Sequence, residues 1–247
     1  LFPQLIAGPI VRYADVSREI EERKISIDLF KNGINRFIRG FAKKVLIANN
    51  VGLVAEKTFE VAPNELSSSL AWIGIVCYSL QIYYDFSGYS DMAIGLGKMF
   101  GFNFKENFNY PYISTSIKEF WRRWHISLSS WFKDYLYVPL GGNRKGKNRT
   151  YVNLLIVFFL TGLWHGASWN FVIWGLFHGL FLIVERLNII RLPPKFNVLS
   201  RIYMLLIVTI GWVFFRVENL SDALTFIGKM FSFSSGEENY PYLFLNS

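Results

Sequence analysis

Tyr151–Val184, YVNLLIVFFLTGLWHGASWNFVIWGLFHGLFLIV, runs for 34 residues without an Asp, Glu, Lys or Arg. As one straight helix it would reach roughly 50 Å, against a hydrocarbon core of about 30 Å. Two helices therefore fit the stretch better than one. The break belongs at Gly166-Ala167-Ser168, where small residues and a hydroxyl tolerate a bend that Leu or Phe would resist. His165 then sits beside a helix discontinuity in lipid-compatible sequence. Irregular backbone at membrane depth persists only where it is buried in protein or lines a wet cavity. A titratable side chain in such a place is a candidate functional group.

The same apolar character extends along the chain. Hydrophobic residues make up 52% of the 247, aromatic residues 18%, and mean hydropathy is +0.26. The apolar residues cluster, so that residues 66–84 and 202–215 also read as membrane spans. The expectation is an all-α, polytopic membrane bundle. The net charge of +8 suits cytoplasmic loops rich in Lys and Arg better than nucleic-acid binding. Its densest cluster, NRKGKNR at 143–149, directly precedes a span and reads as such a loop. Cys77 is the only cysteine, which excludes a disulfide framework, a CxxC pair and a thiolate zinc site. No signal peptide is recognisable at Leu1, and the chain reads as a possible fragment.

LFPQLIAGPIVR at 1–12 carries two prolines and a glycine, which predict a bent segment at membrane level. From Ile34, apolar residues Ile34, Phe37, Ile38, Phe41, Val45 and Ala48 recur at helical spacing. Lys31, Arg36, Arg39, Lys43 and Lys44 supply a basic side. This predicts an interfacial or bundle-edge helix, or one packed on the protein with its charged face in water. After the 66–84 span, Asp85 or Ser87 is placed to cap a new helix. Gly95, Gly97 and Gly101 match a phosphate-binding fingerprint too loosely, and no strand precedes them. Gly97 with Gly101, Gly162 with Gly166, and Gly175 with Gly179 instead have the spacing of small-residue helix contacts.

Ser116 and Glu119 form a capping-box pattern, which starts a helix carrying IKEFWRRWHISLSSWF. Trp121, Trp124, Leu128 and Trp131 would share one face of it. Arg122, Arg123 and His125 make the segment too polar for a lipid-facing span, so a re-entrant or interfacial helix is expected.

Each histidine has a structural alternative, that of a hydrogen-bonded core residue. For His165 the neighbours Trp164, Ser168 and Asn170 favour chemistry, since Ser and Asn can bond an oxyanion or orient an imidazole that accepts a proton near neutral pH. His178 lies 13 residues on, about 220° round an unbroken helix, and reads as structural. Three histidines without a tight Asp/Glu pattern are weak support for a metal site, and none is expected. The chain has no GxSxG elbow, HExxH pair or P-loop.

Taken together, LFPQLIAGPIVRY, YYDFSGYSDMAIGLGKMFGF, FWRRWHISLSSWFKDYLYVPLGGNR, TGLWHGASWNFVIWG and FFRVENLSDALTFIGKMF resemble the membrane-bound O-acyltransferase family. The similarity is greatest to its bacterial alginate O-acetyltransferase branch, through YVPLGGNRKGKNRTY. It covers nearly the whole chain, which is read as a single domain over 1–247 that lacks N-terminal spans and the extreme C-terminus. The resemblance implies a multi-pass protein of the bacterial cytoplasmic membrane with a central funnel. It implies that His165, in the WHG motif, is catalytic, and that the second recurring histidine, of the RWH motif, is His125. Supporting or substrate-positioning roles are expected for Asn170, Ser168, Trp164, Arg122, Arg123 and Asp85. The implied donor is acetyl-CoA or another acyl thioester, with no tightly bound cofactor. The implied acceptor is a hydroxyl of an extracytoplasmic polysaccharide or of a relay acetyltransferase. Alternatives are D-alanyl or other acyl transfer to an envelope polymer, a transporter of an anionic polymer, and a non-catalytic scaffold.

Overall fold

The protein is described here as a computed structural model covering residues 8–62, 65–190 and 197–232. The bent segment expected at 1–12 lies largely outside these residues, as does the chain end near Ser247. Among the described residues the chain is helical throughout and has no strand. The helices are α1 (Tyr13–Glu22), α2 (Ile27–Ala42), α3 (Asn49–Glu60), α4 (Ser68–Met99), α5 (Ile117–Arg123), α6 (Ile126–Phe132), α7 (Lys147–His165), α8 (Trp169–Arg186), α9 (Asn197–Arg216) and α10 (Leu220–Met230). A π-helical turn, Lys43–Ala48, joins α2 to α3. The residues gather into two compact units. Of the described residues, one draws on 8–50, 80–111 and 121–131, the other on 51–62, 65–79, 112–120, 132–190 and 197–232.

In the first unit, α2 crosses the second half of α4 through paired glycines. A Cβ on Gly33 would lie 2.7 Å from the Gly95 carbonyl oxygen, and one on Gly40 2.5 Å from that of Gly88. Gly33 and Gly40, like Gly88 and Gly95, are seven residues apart, two helical turns on one face. The expected contact pair Gly97 and Gly101 is not used this way. Gly97 faces the Phe104 ring, and Gly101 turns the chain out of α4 at φ 80°.

The close crossing brings the basic side of α2 onto the acidic residues of α4. Asp91 accepts from Arg36 Nε at 2.8 Å and pairs with Lys43 Nζ at 2.7 Å; Arg36 also pairs with Glu106, and Lys44 with Asp85. This corrects two expectations. The span expected to end at Tyr84 continues to Met99, and Asp85 and Ser87 lie inside α4 rather than capping a new helix. A carboxylate paired to cations on a neighbouring helix has no need of a helix terminus to satisfy it. Of the basic side of α2 and the π turn, Arg36 and Lys43 turn toward Asp91, Lys44 pairs at a half-exposed position, and Lys31 and Arg39 are exposed, while Ile38, Phe41 and Leu46 are more than half exposed. Exposed apolar residues beside exposed basic ones suit an interfacial position.

In the second unit, α7 and α8 form the two helices expected of the 151–184 run, separated at Gly166–Ser168. Their backbones come together where side chains are missing. A Cβ on Gly162 would strike the Phe171 carbonyl, one on Gly175 the Phe158 carbonyl, and one on Gly179 would lie 3.2 Å from Phe158 Cβ. Gly166 lies at the corner instead, under the Phe171 ring. Gly175→Val is therefore expected to destabilise the protein by about 3 kcal/mol or more, because backbone rather than a flexible side chain must give way. The thermal midpoint of the purified full-length protein in detergent would measure it.

By length and apolar composition alone, α9 is the one helix among the described residues that passes as a membrane span. The basic first turn of α7 and the polar ends of α8 (Asn170, Glu185, Arg186) dilute those two helices. The cluster expected to form a loop at 143–149 is exposed, and α7 starts within it at Lys147.

Candidate active site

His165 is the last residue of α7, and Gly166 leaves the helix in an extended conformation. The corner is closed by two side chains. Ser168 Oγ caps α8 by accepting from Asn170 N at 3.3 Å, and Asn170 Nδ2 donates to the Val217 carbonyl just past the end of α9. These bonds place Phe215 of α9 over the corner. His165 is then walled by aromatic rings: Trp164 at 4.9 Å between centroids, Trp174 at 5.0 Å and Phe215 at 5.2 Å, all near perpendicular, with Phe171 at 6.4 Å. The imidazole is only partly buried. Among the described residues no side chain hydrogen-bonds it. Such a group can exchange a proton with a substrate that enters the exposed side.

Behind the wall the rings are tied to neighbouring helices. Trp174 stacks on Trp212 at 6.2 Å, Trp212 Nε1 donates to Tyr112 Oη at 3.1 Å, and that hydroxyl donates to the Ser79 carbonyl at 2.6 Å. His178 is fully buried, 5.4 Å from Trp174 between centroids, with its Nε2 2.5 Å from where a Cβ on Gly211 would stand. His165 and His178 thus flank the same tryptophan. The 220° separation does not apply, because the helix is interrupted between them. Phe171, Trp174, Phe215 and Trp212 were not among the residues singled out by sequence. The spacing of Phe171 and Trp174, three residues apart after the corner, is the signal that could have found those two, whereas no local signal marks Trp212 and Phe215 of α9.

His125 lies in the other unit, between α5 and α6. The capping expectation holds in part: Ser116 Oγ accepts from Glu119 N at 3.0 Å, while the Glu119 carboxylate reaches back to Thr115 N at 2.9 Å, one residue earlier than the pattern implies. Glu185 adds a second cap, accepting from Ile117 N at 2.6 Å and Lys118 N at 3.1 Å. The helix expected to continue through 132 instead breaks at Trp124 and His125, and His125 adopts φ 44°. The four-residue face dissolves with it: Trp124 and Leu128 are buried, Trp131 is exposed. The cause is Asn107, whose backbone carbonyl takes the amide of Ile126 and whose side-chain oxygen takes that of Ser127. The first amides of α6 therefore need no partner in α5.

Of the supporting candidates, Trp164, Ser168 and Asn170 are gathered at the His165 corner. Arg123 Nη1 donates to the Asn109 carbonyl at 3.1 Å, Arg122 is exposed, and Asp85 is paired with Lys44; all three belong to the unit that holds His125.

Comparison with known proteins gives this geometry its context. The chain is 51% identical over 234 residues to the probable alginate O-acetylase AlgI of Pseudomonas putida, covering 94% of this chain and 48% of that protein. It is 43% identical over 237 residues to the peptidoglycan O-acetyltransferase of Helicobacter pylori, covering 93% and 45%. It is 32% identical over 192 residues to the teichoic acid D-alanyltransferase of Bacillus subtilis, covering 73% and 48%. The chain spans about half the length of these curated relatives. The model of the membrane-bound O-acyltransferase family matches residues 1–217, and with most of its length inside that match the chain belongs to the membrane-bound O-acyltransferase family.

Proposed function

We propose that the full-length protein transfers an acetyl group from a cytoplasmic thioester to a hydroxyl of an extracytoplasmic polysaccharide, directly or through a relay acetyltransferase. The observation that carries this reading is the partly buried His165 at a helix break, walled by Trp164, Trp174 and Phe215. The higher identity to O-acetylating relatives than to a D-alanylating one supports acetyl as the group moved.

In this mechanism the His165 imidazole accepts the proton of the acceptor hydroxyl as its oxygen attacks the thioester carbonyl. The tetrahedral oxyanion collapses, the carbon–sulfur bond breaks, and the departing thiolate takes the proton from the His165 imidazolium. Asn170, tied to the end of α9, positions the corner; His125 assists from its own bend by accepting a hydrogen bond from a substrate group. Acetyl-CoA or another acyl thioester is a substrate, and no resident cofactor is required. The protein is a multi-pass bundle of the bacterial cytoplasmic membrane around a central funnel. Its basic 143–149 cluster, at the start of α7, lies on the cytoplasmic side, and α5 and α6 are short helices that dip into the bundle.

Mild-base hydrolysis of surface polysaccharide from cells expressing the full-length protein tests the reading. Release of acetate that depends on the protein is expected. Release of D-alanine in its place would move the assignment to the other branch.

A further inference from the structure

The bend that carries His125 is held by Asn107, through its backbone carbonyl and its side chain. His125 is 5% exposed and keeps a left-handed backbone, a conformation that costs a non-glycine residue about 1–3 kcal/mol and persists where its surroundings over-determine it. Asn107 is fully buried beneath it. Asn107 Oδ1 accepts from Ser127 N at 3.2 Å and from Ser127 Oγ at 2.8 Å. A backbone N–H can only donate, so the atom facing it is the amide oxygen, and the orientation of the Asn107 amide follows from that alone. Ser127 Oγ meanwhile accepts from Ile10 N at 2.9 Å, which leaves its own hydrogen to point at Asn107.

His125 Nδ1 lies 3.1 Å from the same Oδ1. An amide oxygen has no hydrogen to give, so Nδ1 carries the proton, and in the neutral ring the lone pair resides on Nε2. Phe86 packs perpendicular to the imidazole at 4.8 Å and holds its plane.

We propose that Asn107 is a positioning residue that locks His125 in the Nδ1–H tautomer and so makes Nε2 the atom that meets the substrate. The use of Nε2 rests on the acyl-transfer reading above; the tautomer lock does not. A charge-neutral clamp of this kind fixes which nitrogen can accept a hydrogen bond or proton, much as an outer partner orients a ligating histidine.

The test is nitrogen-15 NMR of histidine-labelled full-length protein in lipid bilayers, with the His125 signals identified by their loss in His125→Asn, a residue that tolerates the left-handed backbone. Wild type is expected to show a protonated Nδ1 and an unprotonated Nε2. Asn107→Asp, whose carboxylate accepts the same three donors, keeps that signature. Asn107→Leu loses it, and kcat falls about 10- to 100-fold, more than in Asn107→Asp. An Nε2–H ring in wild type overturns the lock without recourse to any variant, as does an unchanged signature in Asn107→Leu. If the signature is as expected but His125→Asn retains full transferase activity, the use of Nε2 is overturned and the lock stands. Absence of acetyl transfer in wild type would instead refute the functional reading, with the spectrum unaffected.

Discussion

His165→Ala is expected to lower ester-linked acetate per molecule of full-length protein by about two to four orders of magnitude, the range associated with removal of a positioned general base. Its surroundings make the change selective. The ring sits at the exposed end of a helix and makes no hydrogen bond to a side chain among the described residues, so its loss leaves no buried polar partner behind. His178→Ala is expected to behave in the opposite sense. His178 is fully enclosed against Gly211 and Trp174, and truncation opens a cavity between α8 and α9 that costs about 2–5 kcal/mol. That variant should reach the membrane in smaller amount and work normally per molecule. Acetate measured against immunoblotted protein separates the two behaviours. Unchanged specific acetylation in His165→Ala would remove this histidine from the chemistry and favour a transporter or scaffold.

Asp91→Leu is expected to destabilise the first unit by about 2–3 kcal/mol, between the cost of breaking a buried ion pair and that of a surface pair. Asp91 is 8% exposed and is the acceptor shared by Arg36 and Lys43. Its loss leaves Lys43 without this partner and Arg36 with Glu106. Lys44→Ala, which removes the partner of Asp85 in a pair about half exposed on both sides, should cost less than about 1 kcal/mol. Thermal midpoints of the two variants in the same detergent compare them directly. Equal shifts would show that the Asp91 cluster behaves as a surface pair.

The parts of this protein that were legible from sequence are those governed by one local quantity. A charge-free run too long for a single crossing had to be divided, and the three consecutive small residues Gly166-Ala167-Ser168 were its natural break, so the corner and the histidine beside it were readable before any fold. The capping serine of α5 was readable for the same reason, since it acts over three residues. What was misread depended on partners far along the chain. Asp85 and Ser87 looked like a helix start because isolated polar residues after a span usually are one. Lys44, 41 residues earlier, pairs with Asp85 and lets α4 run on.

The glycine contacts illustrate the difference. The four-residue spacing found Gly175 with Gly179, but it missed Gly33 with Gly95 and Gly40 with Gly88, because which helix face meets another is set by the crossing and not by either helix alone. His125 is the same case at the scale of one residue. Its segment has continuous helical periodicity, and only Asn107, which takes the two amides at the start of α6, breaks the helix there. The amino-acid sequence by itself determined the helical class, the two helices of the 151–184 run and the place of His165, because hydrophobic length and backbone permissiveness are properties of a single segment. Only the tertiary structure decided how far α4 extends, which side of α2 turns inward, what walls His165 and how His125 is held, because each depends on a hydrogen bond, ion pair or ring contact supplied by another segment.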